Sequence, residues 1–459
     1  MGEYIVSRDQ LKEPTPFGKA MLERHFLIHP KYRPLNHGSF GTFPIEVRDA
    51  QRRLQDEQES RPDVFFVRSH AEYVTQSRRY IADFVKAPLD ECVFVKNAST
   101  GINTALRNLD FKQGDVIVYF ATVYNAVEQT LVSLMESTPV QLRKVEYTFP
   151  IAHDEIVDRF LRVVTSVRVE EGLNVRAAIF DTIVSMPGVR FPFEKLITAC
   201  RKESIYSIID GAHGIGHIPL NLGELSPDFF VSNCHKWLYT PRGCALFYVP
   251  KRNQHLIRTS FPTSHGYTFP PDRGQLHDGN KTDFEILFEF VATTDDTPYM
   301  CVPASLKFRE VVCGGDNAIY EYIQDVAQRG GDVVASILGT DVMQEPNLPS
   351  LSHSDIRKCA LVNVRMPLAF NGDTINEHVP KPGTSPYKLL DIQRAGEVVA
   401  WMESKLITEY DTFAKFYPHG GWLWLRLSGQ IYLELEDFEW IANIVDQLCA
   451  RVGKGEWLQ

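Results

Sequence analysis

The sequence predicts an α/β protein in which a mainly parallel sheet lies between helices in a large domain, followed by a smaller α+β domain. Between residues 91 and 250, short apolar runs alternate with longer amphipathic stretches, as in strands joined by crossover helices. After about residue 303 the pattern changes, and helices and strands alternate in a separate stretch. At 459 residues, the chain also exceeds the size of one ordinary hydrophobic core.

Six apolar runs in the first stretch are predicted strands. They span residues 92–95, 116–120, 177–180, 205–209, 229–232 and 245–249. Between the second and third strands, Ile156, Phe160, Val164 and Val167 recur at helical spacing, so one face of a helix must be buried there. A sheet with crossover helices of this kind is mainly parallel.

The C-terminal stretch predicts two amphipathic helices and a strand. Apolar residues at helical spacing mark a helix over 395–406 and another over 441–448, with Asp437 as its N-cap. Residues 422–435 between them are predicted to be strand. Three segments rich in Pro, Gly or polar residues are predicted loops, at 262–283, 347–354 and 372–387.

Composition excludes several classes of function. The net charge of −10 and the absence of a basic run argue against a nucleic-acid partner. No run of about 18 apolar residues suggests a membrane span, and residues 1–14 resemble neither a signal peptide nor a presequence. Eight cysteines without a CxxC pair are typical of reduced thiols in a cytoplasmic protein.

The strongest chemical signal is the segment IIDGAH at 208–213, followed by NCHKW at 233–237. Asp210 ends an apolar strand, and ligands of open α/β sheets bind at the carboxyl ends of parallel strands. A carboxylate there can keep a pyridine nitrogen protonated. Lys236 follows the next strand, where desolvation would favour a neutral amine able to form an imine. Gly211 and Ala212 are expected to leave room for a flat ring.

Two further positions follow the first strands. The segment NASTG at 97–101 opens a helix, whose backbone N–H groups and the hydroxyls of Ser99 and Thr100 form a natural anion site. The alternative is an ordinary N-capping Ser or Thr. Tyr124 follows the next strand and could cover a ring or donate a proton, although a core tyrosine is the simpler interpretation.

Together, Asp210-Gly211-Ala212-His213 and His235-Lys236-Trp237 resemble the class V aminotransferase family of fold-type I pyridoxal 5′-phosphate (PLP) enzymes. This resemblance implies a seven-stranded, mainly parallel sheet and a homodimer with its active site at the interface. It also implies an N-terminal segment, 1–45, that contributes to the active site and small domain. The large PLP-binding domain would span 46–302 and the small domain 303–459.

The resemblance implies which residues bind the cofactor. Lys236 would carry PLP as a Schiff base, and Asp210 would hold the pyridine nitrogen. His213 occupies the position at which relatives contact the phenolic oxygen of the cofactor. The residues expected to bind or border its phosphate are Ser99, Thr100, Asn233, His235 and, reaching across to the partner subunit's cofactor, Thr293.

A small amino-acid substrate is implied as well. Arg426 would clamp its carboxylate, a role that suits the bidentate guanidinium. Asn36 and His37, in the segment LNHGSFGT at 35–42, would contact the substrate, and Tyr124 would assist the leaving group. No metal is expected, because His213, His217 and His235 lack a carboxylate or cysteine to complete a ligand set.

The sequence leaves two alternatives open for the reaction that the protein catalyses. Segments 35–42, 185–190 and 262–266 resemble fungal hercynylcysteine sulfoxide lyases of ergothioneine biosynthesis, which implies C–S lysis of a cysteine-derived sulfoxide or related β-substituted amino acid. Segments 16–19, 301–304 and 312–315 resemble the PLP enzyme of loline biosynthesis, which implies a cyclase or an enzyme like isopenicillin N epimerase. Asn125 and Thr182 depart from the family pattern. Both reactions would proceed through the same carbanion, and plain transamination is a further possibility.

Overall fold

The computed structural model describes residues 14–274, 277, 280–346, 348, 353–373 and 378–458. Residues 1–13 of the predicted N-terminal segment, and parts of the predicted loops at 262–283, 347–354 and 372–387, lie outside this description. The strands are β1 Cys92–Val95, β2 Asp115–Phe120, β3 Gln141–Val145, β4 Asn174–Asp181, β5 Ile183–Val184, β6 Val189–Arg190, β7 Tyr206–Asp210, β8 Phe229–Asn233, β9 Ala245–Tyr248, β10 Leu361–Asn371, β11 Leu390–Asp391, β12 Lys415–His419 and β13 Trp422–Ser428.

Helices surround these strands. They are α1 Lys19–His25, α2 His37–Phe40, α3 Ile45–Ser60, α4 Pro62–Val64, α5 His70–Phe84, α6 Ala98–Asn108, α7 Asn125–Ser137, α8 His153–Val169, α9 Phe193–Lys202, α10 Leu222–Leu225, α11 Cys234–Trp237, α12 Lys251–Gln254, α13 Asp283–Glu289, α14 Thr297–Met300, α15 Val302–Val311, α16 Asp316–Leu338, α17 Ala395–Tyr410 and α18 Leu435–Gly453. No helix of the described residues is both long and apolar enough to cross a membrane.

The large domain is built on a seven-stranded sheet of order β1-β9-β8-β7-β4-β2-β3. Neighbours from β8 to β3 run parallel, and β9 runs antiparallel to both of its neighbours, β1 and β8. The predicted mainly parallel α/β fold is therefore confirmed. All six predicted strands are present; the bounds of β1 are those predicted, and the other five differ by up to three residues at an end.

The sheet is buried on both faces, which is why its strands read as continuous apolar runs. In β4, Ala178 and Phe180 pack into one hydrophobic cluster, whereas Ala177 and Ile179 pack into the other. The alternation follows from the two-residue period of a strand. The edge strand β3 was missed by the prediction because its sequence, QLRKV, is largely polar and only Val145 is buried.

The small domain pairs its strands in the order β11-β10-β13-β12. The predicted strand at 422–435 ends at Ser428, and β12 was not predicted. The assignment of Asp437 as an N-cap is wrong. Helix α18 begins at Leu435 with Glu434 as its N-cap, and the Asp437 carboxylate accepts a hydrogen bond from Glu434 N at 2.9 Å. The two acidic residues thus form a capping box.

The domain boundaries after residues 45 and 302 stay predictions. Residue 302 begins helix α15, which packs against α3 and α5. The described part of the predicted N-terminal segment lies against the C-terminal part of the chain: Gly18 N donates to Ile431 O, and Leu35 O accepts from Ser428 N. This segment therefore reaches the small-domain sheet from the N-terminal end of the chain.

Candidate active site

The carboxyl ends of two neighbouring strands bring the predicted acid and lysine to one edge of the sheet. Strand β7 ends at Asp210, and the adjacent parallel strand β8 ends at Asn233. The short helix α11 follows at once and carries Lys236 in its last turn. This is the edge at which open α/β sheets bind ligands.

The surroundings of Lys236 favour the neutral form of its side-chain amine. Burial and, next, the positive charge of Arg426 lower the pKa of its ammonium group from 10.5 to about 8, against the opposing effect of Asp210 and Asp181. Its Nζ lies 3.3 Å from Nε2 of His213. A lysine in this environment holds a lone pair at a pH where a surface lysine is protonated.

Asp210 is a buried acid that accepts a hydrogen bond from the backbone. It is 3% exposed, and Ala212 N donates to its Oδ1 at 2.9 Å. Burial raises the pKa of its carboxyl group, although the Ala212 N–H and the charge of Lys236 oppose the rise. A cation against the second oxygen would stabilise the ionised form.

The expectation that Gly211 leaves room for a ring is wrong. A Cβ on Gly211 would lie 2.6 Å from the Phe230 ring and 2.8 Å from the Val231 carbonyl oxygen. The missing side chain therefore permits close packing of this turn on β8. Close backbone approach is a common reason for glycine at such a position.

Asp181 is a second buried acid that the prediction missed. It ends β4 and pairs in register with Asp210 across the β4–β7 ladder. Burial and the neighbouring charge of Asp210 raise the pKa of its carboxyl group. The signal was present in the sequence, since the apolar run AAIF ends in Asp181 as SII ends in Asp210.

His213 and Trp237 form a hydrogen-bonded pair beside the lysine. Trp237 Nε1 donates to His213 Nδ1 at 3.2 Å, and both side chains are buried. Burial, followed by the charge of Lys236, holds the pKa of His213 well below its usual range. The His213 ring is therefore neutral and faces the lysine nitrogen.

Arg426 is a buried cation whose hydrogen-bond partners among the described residues are uncharged. Its guanidinium donates to Ser185 O (2.7 Å), Asn36 Oδ1 (2.8 Å) and Ser39 Oγ (2.7 Å), and no carboxylate of the described residues lies within ion-pair distance. Its Nε has no hydrogen-bond partner in the described structure. Burial lowers the pKa of this guanidinium to about 10. Such a group is a ready site for an anion, since an unpaired buried charge is costly.

The loop at 35–42 packs directly against the lysine backbone. His37 Nε2 donates to Lys236 O at 2.5 Å, and its Nδ1 accepts from the Tyr432 hydroxyl at 2.7 Å. A Cβ on Gly41 would lie 2.0 Å from His235 O, so this position requires glycine. His37 thus holds the Lys236 backbone, while Asn36 orients Arg426. Their contact with a substrate stays a prediction.

The predicted helix over NASTG is confirmed as the start of α6. Its cap is Asn97, whose Oδ1 accepts from Thr100 N at 2.9 Å, whereas neither predicted hydroxyl serves as the cap. Asn233 Oδ1 accepts from Ala98 N at 2.8 Å and so joins the end of β8 to this helix. Ser99 is exposed. The helix N-terminus thus lies beside the lysine-bearing turn, and phosphate binding there stays a prediction.

Of the three remaining predicted residues, His235 directly precedes Lys236 and Tyr124 lies near Arg426. His235 donates from Nδ1 to Cys244 O at 3.1 Å, and burial lowers its pKa to about 4. Tyr124 stands at the start of α7, is 48% exposed, and lies close enough to Arg426 for the two to interact electrostatically. Thr293 is exposed on the single chain. Contacts of Thr293 with a partner subunit stay a prediction.

Comparison with known proteins identifies relatives over nearly the whole chain. The class-V aminotransferase family model matches residues 64–269. The chain is 41% identical to the L-cysteine desulfhydrase-like protein lolT1 of Epichloe uncinata, covering 95% of this chain and 97% of that one. It is 30% identical to the hercynylcysteine sulfoxide lyase of Schizosaccharomyces pombe, covering 96% and 100%.

A solved structure shares the fold. The cystine C–S lyase C-DES, in complex with its product cysteine persulfide, superposes with a TM-score of 0.67 at 17% identity, covering 90% of this chain and 96% of that one. The same enzyme has also been solved with glycine linked covalently to its PLP cofactor, with a TM-score of 0.68 at 15% identity, covering 92% and 97%. At such low identity the likeness shows the fold.

Proposed function

Because this chain belongs to the class-V aminotransferase family, we propose that it is a PLP-dependent C–S lyase acting on a cysteine-derived sulfoxide or a related β-substituted amino acid. The observation that carries the proposal is the placement of Lys236 and Asp210 at one edge of the large sheet, with Arg426 of β13 close enough to lower the pKa of the lysine. Relatives named as an L-cysteine desulfhydrase-like protein and a hercynylcysteine sulfoxide lyase cover 95% and 96% of the chain.

The site suits the cofactor. The buried Asp210 carboxylate fits a protonated ring nitrogen, which would stabilise its ionised form. Lys236 offers a neutral amine for covalent attachment. Ser99, Thr100, Asn233 and His235 would hold the phosphate at the start of α6. PLP, when bound, withdraws electrons from the α-carbon of an amino acid and so weakens the bonds to it.

Residues of the protein would bind the substrate and move its protons. Arg426 would hold the substrate carboxylate and fix the orientation of the amino acid. Lys236 Nζ would take the proton from the α-carbon. The Tyr124 hydroxyl, near Arg426 and open to the solvent side, would donate a proton to the departing sulfur. The proposal therefore predicts loss of the β-sulfur group.

We expect the rate of PLP capture by the cofactor-free protein to rise with pH and to level off above a midpoint of about 8. Only the neutral amine attacks an aldehyde, and the lysine pKa is lowered to that value by burial. Stopped-flow absorbance across a pH series measures the midpoint. In Arg426→Gln the midpoint should rise, because a positive charge that lowers the pKa is removed. A midpoint above 10 in the unaltered protein would contradict this account.

Arg426→Lys should raise KM by about 10–100-fold while leaving the cofactor absorption band unchanged, since a charge-assisted bidentate contact is worth about 1.5–3 kcal/mol. Arg365→Lys is a matched control. Arg365 is buried on neighbouring β10 and pairs with Asp341 at 2.6 Å, so it already has a counter-charge. Steady-state kinetics and spectra of both variants provide the test. Loss of the band in Arg426→Lys would show that Arg426 serves the cofactor.

The proposed reaction is tested directly with hercynylcysteine sulfoxide and with S-alkyl cysteine sulfoxides in deuterated water. Lysis predicts pyruvate and a sulfur-containing product in equal amounts. Deuterium at the α-carbon of recovered amino acid without pyruvate would instead support the cyclase or epimerase alternative. Mass spectrometry distinguishes the two outcomes in one experiment.

We also propose a cytoplasmic homodimer in which Thr293 reaches the partner's cofactor site. Eight free, buried cysteines are consistent with a reducing compartment. The exposure of Thr293 leaves its hydroxyl accessible to a second copy. Light scattering of the purified protein tests the dimer, and a monomer with full activity would exclude it.

A further inference from the structure

A chain of hydrogen bonds runs from the small-domain strand to the reactive lysine. At its far end, Ala360 N donates to His217 Nε2 at 2.7 Å, and Ala360 directly precedes β10. Since Nε2 accepts, neutral His217 carries its proton on Nδ1, which donates to His213 O at 2.9 Å. Burial lowers the pKa of His217 to about 3, so this ring is neutral. These contacts therefore place the proton of neutral His217 on Nδ1 and leave Nε2 as an acceptor.

The indole of Trp237 is held against this histidine. The two rings are stacked with centroids 3.8 Å apart and an interplanar angle of 23°. The backbone of Gly216 also packs closely against that of Trp237. A Cβ on Gly216 would lie 2.5 Å from Trp237 O. With its plane fixed in this way, Trp237 directs Nε1–H at His213 Nδ1.

This contact decides the tautomer of His213. An indole N–H can only donate, so His213 Nδ1 must accept. The neutral ring then has its one proton on Nε2, the nitrogen 3.3 Å from Lys236 Nζ. The charged or titratable groups that keep His213 neutral, beside burial itself, are Lys236, Arg426, His217 and His37. His213 is thus a donor, and never an acceptor, towards the position of the lysine nitrogen.

We propose that Trp237 is a positioning residue that fixes His213 as an Nε2–H donor to the anionic ring oxygen adjacent to the lysine attachment point of the bound cofactor. The tautomer follows from the contacts above, whereas its target rests on the proposed PLP function. A donor stabilises negative charge on that oxygen, so the chromophore gives up its proton at a lower pH. Trp237 acts on this equilibrium through His213 without touching the cofactor oxygen.

The first test uses the cofactor-free protein. Selective ¹⁵N labelling of histidine, with the His213 signals assigned by their loss in His213→Gln, reports which ring nitrogen is protonated. We expect the Nε2–H form in the unaltered protein and a mixture of tautomers in Trp237→Phe, which keeps an aromatic ring but removes the donor. An Nδ1–H form in the unaltered protein would overturn the proposal, whether or not the protein is a lyase.

The second test uses the PLP-loaded protein and needs no substrate. Trp237→Phe should raise the pH midpoint of the cofactor absorption band by about one unit. Trp422→Phe is the matched control: Trp422 is equally buried and donates from Nε1 to Pro380 O at 2.7 Å in the small domain. Its midpoint should stay unchanged.

A double variant separates positioning from general packing. The glutamine amide in His213→Gln donates without any tautomer to fix. Trp237→Phe should therefore produce no further shift in that background. An equal shift in both backgrounds, or no shift in either, would overturn the role assigned to Trp237. Failure of the pyruvate assay with these shifts intact would refute only the lyase reaction.

Discussion

Lys236→Ala should lower kcat by about 10⁴-fold, the largest effect we expect from a single side chain. The substitution removes both the amine that attaches the cofactor and the base that moves the α-proton, and general acid–base catalysis alone contributes about 10²–10⁴-fold. The carbonyl of residue 236 would still accept from His37, so the 35–42 loop keeps its anchor. Rapid-quench assays of pyruvate release measure the loss.

Lys195→Ala is the control for this substitution. Lys195 forms a surface ion pair with Asp154 at 2.6 Å, far along the chain from the lysine-bearing turn. It should keep normal turnover. A Lys236→Ala protein with more than about a tenth of the original kcat would exclude Lys236 as the main proton carrier.

Asp210→Asn should lower kcat by about 10²–10³-fold, comparable to removal of one preorganised electrostatic contact. The asparagine can still accept from Ala212 N, so the local turn is retained. What is lost is the negative charge that keeps the ring nitrogen protonated, and with it much of the electron withdrawal. Spectra of the cofactor and single-turnover rates report the two effects.

Asp210→Asn should affect the spectrum and the turnover but not the attachment of the cofactor. Cofactor should remain attached in Asp210→Asn, with an altered spectrum and slow turnover. Asp154→Asn, the other member of the surface pair, should resemble the unaltered protein. Normal turnover in Asp210→Asn would mean that another acid, such as the adjacent Asp181, protonates the ring.

Much of the large domain could be predicted because its strands are buried on both faces. Such strands appear in the sequence as continuous apolar runs, and six of the seven were found. The edge strand β3 carries Gln141, Arg143 and Lys144 and gives no such signal. In the small domain, the acid-rich start of α18 concealed its N-cap, because Glu434 and Asp437 are both plausible until their reciprocal contact is known.

The site could be predicted only where its residues form local motifs. Asp210 and Lys236 each end a recognisable segment, and the parallel pairing of β7 and β8 makes them neighbours. The contacts that position the residues around them join parts of the chain that are far apart in the sequence. His37 meets the Lys236 backbone across 199 residues, and Asn36 meets Arg426 across 390. Since no short window contains both partners, only the folded chain reveals these contacts.

The tautomer of His213 is a further property that no sequence pattern contains. It depends on the Trp237 indole, on the His217 ring stacked against it, and on a backbone N–H from Ala360. This series of contacts also connects the small-domain sheet to the cofactor site.

Borohydride reduction of the PLP-loaded protein, followed by peptide mapping, tests the central claim most directly. Reduction makes the bond between cofactor and amine permanent, so its position survives digestion. The account predicts a phosphopyridoxyl group on Lys236, in the peptide that contains Cys234, His235 and Trp237. A reduced cofactor on any other lysine, or its absence from every peptide, would contradict it.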